Sequence, residues 1–311
     1  MKNAELNWIR NCLPNQIMYP YYRDKYAVDL LEYCFADKTR ISDIKKSEFA
    51  GLLNRPVIKQ LIGKCGDGML NHELLQSHWP QDSHFLKLTL GSWGEETKNK
   101  SKWCMNQVSR PEKNLVLQVN FQSEHDLWFY RTLGKAGYNY LLADGHPVNH
   151  RLCTLGWVRM DIDLDGNEVL IEEVQSDWVR DVKKLKERYE CPEPCCIEFG
   201  KGNSTRNFNR YYAYLHPYMK TWSQILLSSA LYFIINELGI NKVWYHTNES
   251  GAHYKMIYHC LPPTSIYKQL PEKFGFSKTK EKPNLIANCK ELKKLNRNGK
   301  DLEFYHLKLE K

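Results

Sequence analysis

Residues 161–178 read DIDLDGNEVLIEEVQSDW, and their first twelve positions satisfy a calcium-loop pattern. In that pattern Asp161, Asp163 and Asp165 would be ligands, Gly166 the sharp turn and Glu172 the closing bidentate carboxylate. The same letters fit a tight turn between two strands, the second carrying a row of polar groups. The flanks decide. TLGWVRM before Asp161 and VLIEEV after Gly166 are rich in β-formers, where a calcium loop needs helices. The eighth loop position, normally apolar, is Glu168, and Asp165-Gly166 is a hairpin signal. The sequence predicts a β-hairpin and no metal.

Period-two alternation along EVLIEEVQ sends Leu170, Glu172 and Val174 to one face and Ile171, Glu173 and Gln175 to the other. Polar groups in so apolar a strand are expensive to bury without partners. Either lysines pair with them on a wet face, or Glu173, Gln175 and Asp177 line a site at the strand's carboxyl end. Trp178 and Trp222 are expected beneath or beside that centre. Asp177 has a structural alternative as the cap of a helix starting at Trp178. A second constellation is FGKGNSTRNFNRYY, with Lys201, Gly202, Arg206 and Arg210 interleaved with Phe208, Tyr211 and Tyr212. Phosphate and single-stranded nucleic-acid sites have this basic, aromatic texture. A loop without a ligand has it too.

The elements that must position these groups follow from periodicity. Residues 1–80 read as a helical lobe: YRDKYAVDLLEYCF is amphipathic, and later short helices are interrupted at Pro56 and ended by Gly66. A helix-turn-helix reader of DNA is disfavoured, because Pro56 sits where a recognition helix should run on. From 84 onward the strands are HFLKLTL, NLVLQVNF, the hairpin pair, NKVWYHT and LEFYHLKL. Between them lie a helix from Ser123, one from Trp178 to Tyr189, a long one with Pro217 in its first turn and Gly239 at its end, and one over NESGAHYKMIYHCL. The domain reading is therefore 1–80 helical, then 84–311 α+β with a basic insertion at about 191–215.

Composition narrows the class. The 311 residues are 42% hydrophobic and 26% charged, ordinary for a globular chain with a sizeable core. Lys and Arg number 44 against 36 acids, a net +8 that favours anionic partners without marking a dedicated nucleic-acid binder. No apolar run approaches the roughly 20 residues that span a bilayer. The start also lacks a secretory core. A soluble, cytoplasmic protein without a membrane partner is expected, with later export by a secretion system left open. Of ten cysteines only Cys191, Cys195 and Cys196 cluster, without a second pair at zinc spacing, so reduced thiols are expected.

From residue 84 the element order resembles the GNAT acetyltransferase superfamily, in which a hairpin leads into a central strand, a cofactor helix, a strand, a helix and a closing two-strand unit. Tyr267 and Gly275-Phe276 are similar to the tyrosine and Gly-Phe pair of that family's last part. The resemblance, over roughly 84–310, implies a mixed central sheet flanked by helices, acetyl-CoA as cofactor and acyl transfer to an amine. It implies Glu173 as base, Gln175 as an orienting amide, Tyr267 as the acid that protonates the leaving thiolate, and Lys201 and Arg206 as phosphate contacts. The family's glycine-rich pyrophosphate loop is absent between Gln175 and Trp222. FGKGNSTRNFNRYY is its nearest substitute. IEEVQSDW, MKTW, KVWYHT and YKQLP also resemble a segment of large multi-domain proteins of phages and mobile elements. With that segment Lys220 and Trp222 join Gly202 and Arg210 as cofactor contacts. The expected partner is an anionic small molecule or nucleotide. The rival reading is a non-catalytic binder of nucleic acid or protein on the same fold.

Overall fold

A computed structural model of the chain describes residues 1–81, 83–95, 105–141, 146–190, 204–257, 261–290, 292 and 302–309. The CPEPCC cysteines, Lys201 and Gly202 lie outside these residues. The strands are β1 (Ile17–Tyr21), β2 (Thr39–Arg40), β3 (Met69–Leu70), β4 (His84–Trp93), β5 (Asn114–Asn120), β6 (Thr154–Asp163), β7 (Glu168–Gln175), β8 (Lys242–His246), β9 (Ser277–Thr279) and β10 (Phe304–Lys308). The helices up to the hairpin are α1 (Asn3–Cys12), α2 (Lys25–Cys34), α3 (Ile41–Ile44), α4 (Pro56–Ile62), α5 (His72–Gln76) and α6 (Ser123–Leu141). After it come α7 (Asp177–Glu190), α8 (Ser204–Tyr232), α9 (Asn248–Tyr254), α10 (Leu270–Lys273) and α11 (Asn284–Ala287).

Eight strands form one sheet in the order β1-β4-β5-β6-β7-β8-β10-β9. Every neighbouring pair is antiparallel except β7 and β8, which run parallel with the helices α7 and α8 between them. The expected hairpin is present. Leu164–Asn167 turns the chain, Asp163 Oδ1 accepts from Gly166 N at 3.0 Å, and Asn167 takes the left-handed conformation at φ 51°. Asp161 does not face a calcium loop, because Arg110 and the Met1 α-amino group hold its carboxylate.

One face of the sheet is apolar: Leu86, Leu117, Val158, Ile171, Val243 and Tyr245 are buried in a single cluster with Leu226 and Phe233 of the segment from α8 onward. Among the described residues no helix is long and apolar enough to cross a membrane. The cysteines there outside any disulfide include Cys12, Cys34, Cys65, Cys153 and Cys289.

Two expectations are corrected. The first eighty residues are not helix alone, because Ile17–Tyr21 adds β1 to the sheet edge by pairing with β4. Tyr19 and Tyr21 alternate inward, and Pro20 is tolerated because an edge strand can spare an N–H. Tyr19 OH meets Ser228 at 2.7 Å, so this segment is fastened directly to α8. The long helix starts at Ser204, and Pro217 lies inside it. Buried Phe208, Tyr211 and Leu215 give the added turns an apolar stripe, and tertiary packing of that stripe offsets the bond lost at Pro217.

Leu226 of α8 packs directly against Gly156 of β6. A Cβ there would lie 2.5 Å from Gln175 O and 2.7 Å from Leu226 Cδ1. Gly156→Ala should therefore lower unfolding free energy by about 1–3 kcal/mol in urea titration, as overpacking does. Gly51→Ala, where a Cβ meets nothing within 4 Å, should be nearly neutral.

Candidate functional site

The carboxyl end of β7 carries most of the predicted groups, in an arrangement set by one irregularity. Arg159 pairs with Glu173, but Met160 pairs with Ile171, so Glu172 is the extra residue of a β-bulge. The unbroken alternation expected for this strand is thus corrected. Across the bulge Leu170 and Glu173 share one face, and Glu172 turns to the same side, reaching Ser109 and His246. Bulges re-aim side chains in this way. The β7–β8 pairing ends at Ile171–Tyr245, so the two parallel strands separate beyond it.

The gap is filled from two sides. Gly251 lets α9 approach the Tyr267 ring, with a hypothetical Cβ 3.2 Å from it. Lys255, just after α9, and Tyr267, in a π-helical turn over Ser265–Gln269, both donate to the Glu172 carbonyl that has no β8 partner; Tyr267 OH does so at 2.9 Å. Lys255 Nζ also contacts Tyr267 OH at 3.0 Å and lies 3.7 Å from Glu172 Oε2. Ser109 donates to Glu172 through its N–H (3.1 Å), and its hydroxyl lies 2.8 Å from both Glu172 Oε2 and His246 Nε2.

Burial works against both charges. It would push the Glu172 carboxyl up, but the His246 contact and the Lys255 charge outweigh it and hold the group at about 2. It pulls the Lys255 ammonium down to about 8 against the opposing charge of Glu172. Tyr267 is raised well above its ordinary value by burial and the Glu173 charge. His246 sits below its ordinary range because it is buried, which leaves it neutral at neutral pH. A serine against a histidine suggests nucleophilic chemistry. Here, however, Glu172 and Ser109 approach the same imidazole nitrogen, while Nδ1 faces Ser250 Oγ at 3.0 Å. The relay order of a hydrolase triad is therefore lacking.

Glu173, Gln175 and Asp177 do converge at the strand end, each with protein partners. Arg159 Nε lies 2.8 Å from Glu173 Oε2, and Trp157 Nε1 donates to it at 3.4 Å. Burial raises Glu173, but the charge of Arg159 holds it below the usual carboxylate range. Gln175 Nε2 donates to Asp177 Oδ1 at 2.8 Å, and Asp177 also engages His146 and Arg180. The capping role considered for Asp177 belongs to Ser176, whose Oγ accepts from Val179 N at 3.1 Å.

Trp178 sits in an aromatic cluster with Phe121, Phe129 and Tyr211, and Trp222 packs half-buried against the main core. Arg206 and Arg210 are exposed on the first turns of α8, a helix where a loop was expected. His125, Asp126 and Cys153 bring three potential metal ligands within 4.8 Å. Burial pushes the Cys153 thiol up, away from the thiolate a metal needs, and His125 Nε2 is taken by Tyr211 OH at 3.0 Å.

A different cavity, of about 490 Å³, opens on the helical side of the sheet. Its walls carry Arg23, Arg55, Lys220 and Lys273 against one carboxylate, Asp24. Leu226 abuts the end of β7, so the α8 residues of the cavity, Pro217 to Ile225, lie in the turns beyond it. The cavity's strand residues are Tyr21 and His84, the paired ends of β1 and β4, so it sits at that antiparallel edge of the sheet. Arg55 and Lys273 both stand over the Tyr26 ring, at 5.8 and 5.1 Å from its centroid. Burial, and the charge of Arg55 next, pull the Lys273 ammonium down. Tyr21 OH and Arg55 Nε, both in the wall, are buried without a hydrogen-bond partner among the described residues. Sequence reasoning found only Lys220 of this set. Arg23, Arg55 and Lys273 are single basic residues in separate segments, and the one local signal is Arg55 before the helix-starting Pro56.

Glu172 links the strand end to pH. Its carboxyl is depressed from 4.5 to about 2, so its contribution is complete above pH 4.5 and is lost as pH falls through about 2. Glu172→Gln, leaving Lys255 buried without its counter-ion, should cost about 3–5 kcal/mol at pH 7. The variant's stability should also vary less than the wild type's between pH 4.5 and 2, as read by denaturant titration at each pH.

Comparison with protein-family models, with curated proteins and with solved structures returned no match.

Proposed function

We propose that the protein binds a phosphate-bearing ligand in the cavity lined by Arg23, Arg55, Lys220 and Lys273. The observation that carries this reading is a difference in charge balance between the two polar centres. At the strand end Arg159 and Lys255 face Glu172 and Glu173, two cations for two anions, joined by ion pairs and hydrogen bonds. Such a network is balanced in charge without a ligand. In the cavity four cations face one carboxylate, and the Lys273 ammonium, pulled down by burial first and by the Arg55 charge second, is one that a bound anion would favour. Groups that lower stability in the free protein are common at binding sites.

Acyl transfer from a phosphate-bearing donor such as acetyl-CoA is the second reading. It is supported by the antiparallel strands leading to a parallel β7–β8 pair that separates past a bulge, followed by antiparallel β10 and β9. That order agrees with the resemblance to the GNAT acetyltransferases. Two features weigh against it. Lys255 and Tyr267 occupy the separation that an extended cofactor arm would use. Glu173 is a weak base while Arg159 holds it ionised, and a phenol raised as Tyr267 is makes a weak acid. Anion binding does not depend on that chemistry.

Calorimetric titration of the full chain with inorganic pyrophosphate should show binding that weakens with salt and falls at least tenfold in Arg55→Ala. Lys273→Met, which keeps an apolar stem over Tyr26, should lose binding similarly and yet melt at or above the wild-type temperature without ligand. Pyrophosphate binding unchanged in both variants would overturn the proposal.

A further inference from the structure

We infer that the ligand of the basic cavity is a nucleoside diphosphate, with its sugar at Asp24 and its base in an adjoining cleft. This rests on the anion-site reading above and adds the ligand's class. Charge comes first. Four cations less one carboxylate leave the cavity three charges positive. A phosphate monoester carries about −1.5 to −2 at neutral pH, so a diphosphate ester is the closer match. Volume agrees, since about 490 Å³ falls within the roughly 300–1,000 Å³ of organic-ligand pockets and far exceeds the needs of a free phosphate.

The neighbouring cleft supplies the second half of the argument. It holds about 220 Å³ and shares Arg23, Asp24 and Pro56 with the first cavity. Its remaining walls include Val57, Gln60 and the Tyr22–His78 ring pair, which meet edge to face at 5.4 Å. Apolar and ring surfaces with one amide at the rim suit a planar base, which needs a stacking surface and a hydrogen-bonding edge. Asp24 lies where the two spaces join. A carboxylate there opposes a phosphate but accepts from vicinal hydroxyls, the role an acidic residue takes toward ribose in dinucleotide folds. Asp24 is also held at φ 64°, in the left-handed region, with its side chain not capping α2. Aspartate is among the side chains that tolerate that backbone.

The test is calorimetry on the full chain with pyrophosphate, four nucleoside diphosphates, their 2′,3′-dideoxy forms and a short single-stranded oligonucleotide. At least one nucleoside diphosphate should bind about tenfold or more tighter than pyrophosphate, the gain of one or two well-placed hydrogen bonds. Gln60→Trp, at an exposed helical position, should erase that gain and leave pyrophosphate binding intact. Asp24→Asn, which tolerates the same backbone, should strengthen pyrophosphate binding and narrow the preference for ribose over dideoxyribose. If pyrophosphate binds through Arg55 and no nucleotide binds better, the nucleotide assignment is wrong and the anion site stands. If neither pyrophosphate nor any nucleotide binds, both readings fall. An oligonucleotide that outbinds every mononucleotide would overturn the inference in favour of a polymeric ligand.

Discussion

The contact between Glu172 and the pair Lys255–Tyr267 is the constraint on which the sheet depends. A strand that leaves its parallel neighbour exposes a backbone carbonyl that must find another donor. The bulge turns the Glu172 carboxylate to the polar face while its carbonyl receives the lysine and the phenol. One residue thus fixes where β7 leaves β8, where α9 ends and where the π-helical turn bearing Tyr267 must sit. The capping box of Thr247 and Ser250 sets the start of the same helix, so Lys255 arrives at the carbonyl at a determined height.

Charge balance distinguishes the two polar regions of this molecule. The two faces of the sheet differ: helices cover the apolar one, while the other combines networks such as Thr89–Gln118–Asn120 and Arg159–Glu173 with a smaller apolar cluster around Leu170, Trp244 and Phe304. Polar groups there attract attention in a sequence because they interrupt apolar strands. Their partners are supplied by the same fold, and they specify register and rigidity. The basic cavity has the opposite character. Its cations come from the segment after β1, the residue before α4, α8 and α10, and each is unremarkable in its own segment.

That contrast explains what was legible beforehand. The hairpin at Asp165–Asn167, the strands 84–90 and 114–121 and the helix after Ser176 follow from local periodicity and turn chemistry, which one segment carries by itself. The bulge at Glu172 was not legible, because EVLIEEVQ alternates acceptably without it and only the pairing with Met160 and Arg159 reveals the extra residue. Likewise the start of α8 at Ser204 is decided by Phe208 and Tyr211 packing inward, against the local warning of Pro217. Arg206 and Arg210, chosen for their aromatic neighbours, point outward because those neighbours take the buried stripe. Of the cavity's cations Lys220 alone was singled out, and for its motif rather than its surroundings.

The placement of β10 bears on how the chain is made. This strand pairs with β8 on one side and β9 on the other, although both are synthesised before it. Until Phe304–Lys308 leaves the ribosome, β8 presents an open edge carrying Val243 and Tyr245, and β9 has no partner. Unpaired edges on a nascent sheet template wrong pairings and aggregation. Closure of the sheet therefore waits on β10, and the growing polypeptide passes through a stage in which chaperones would find a natural client.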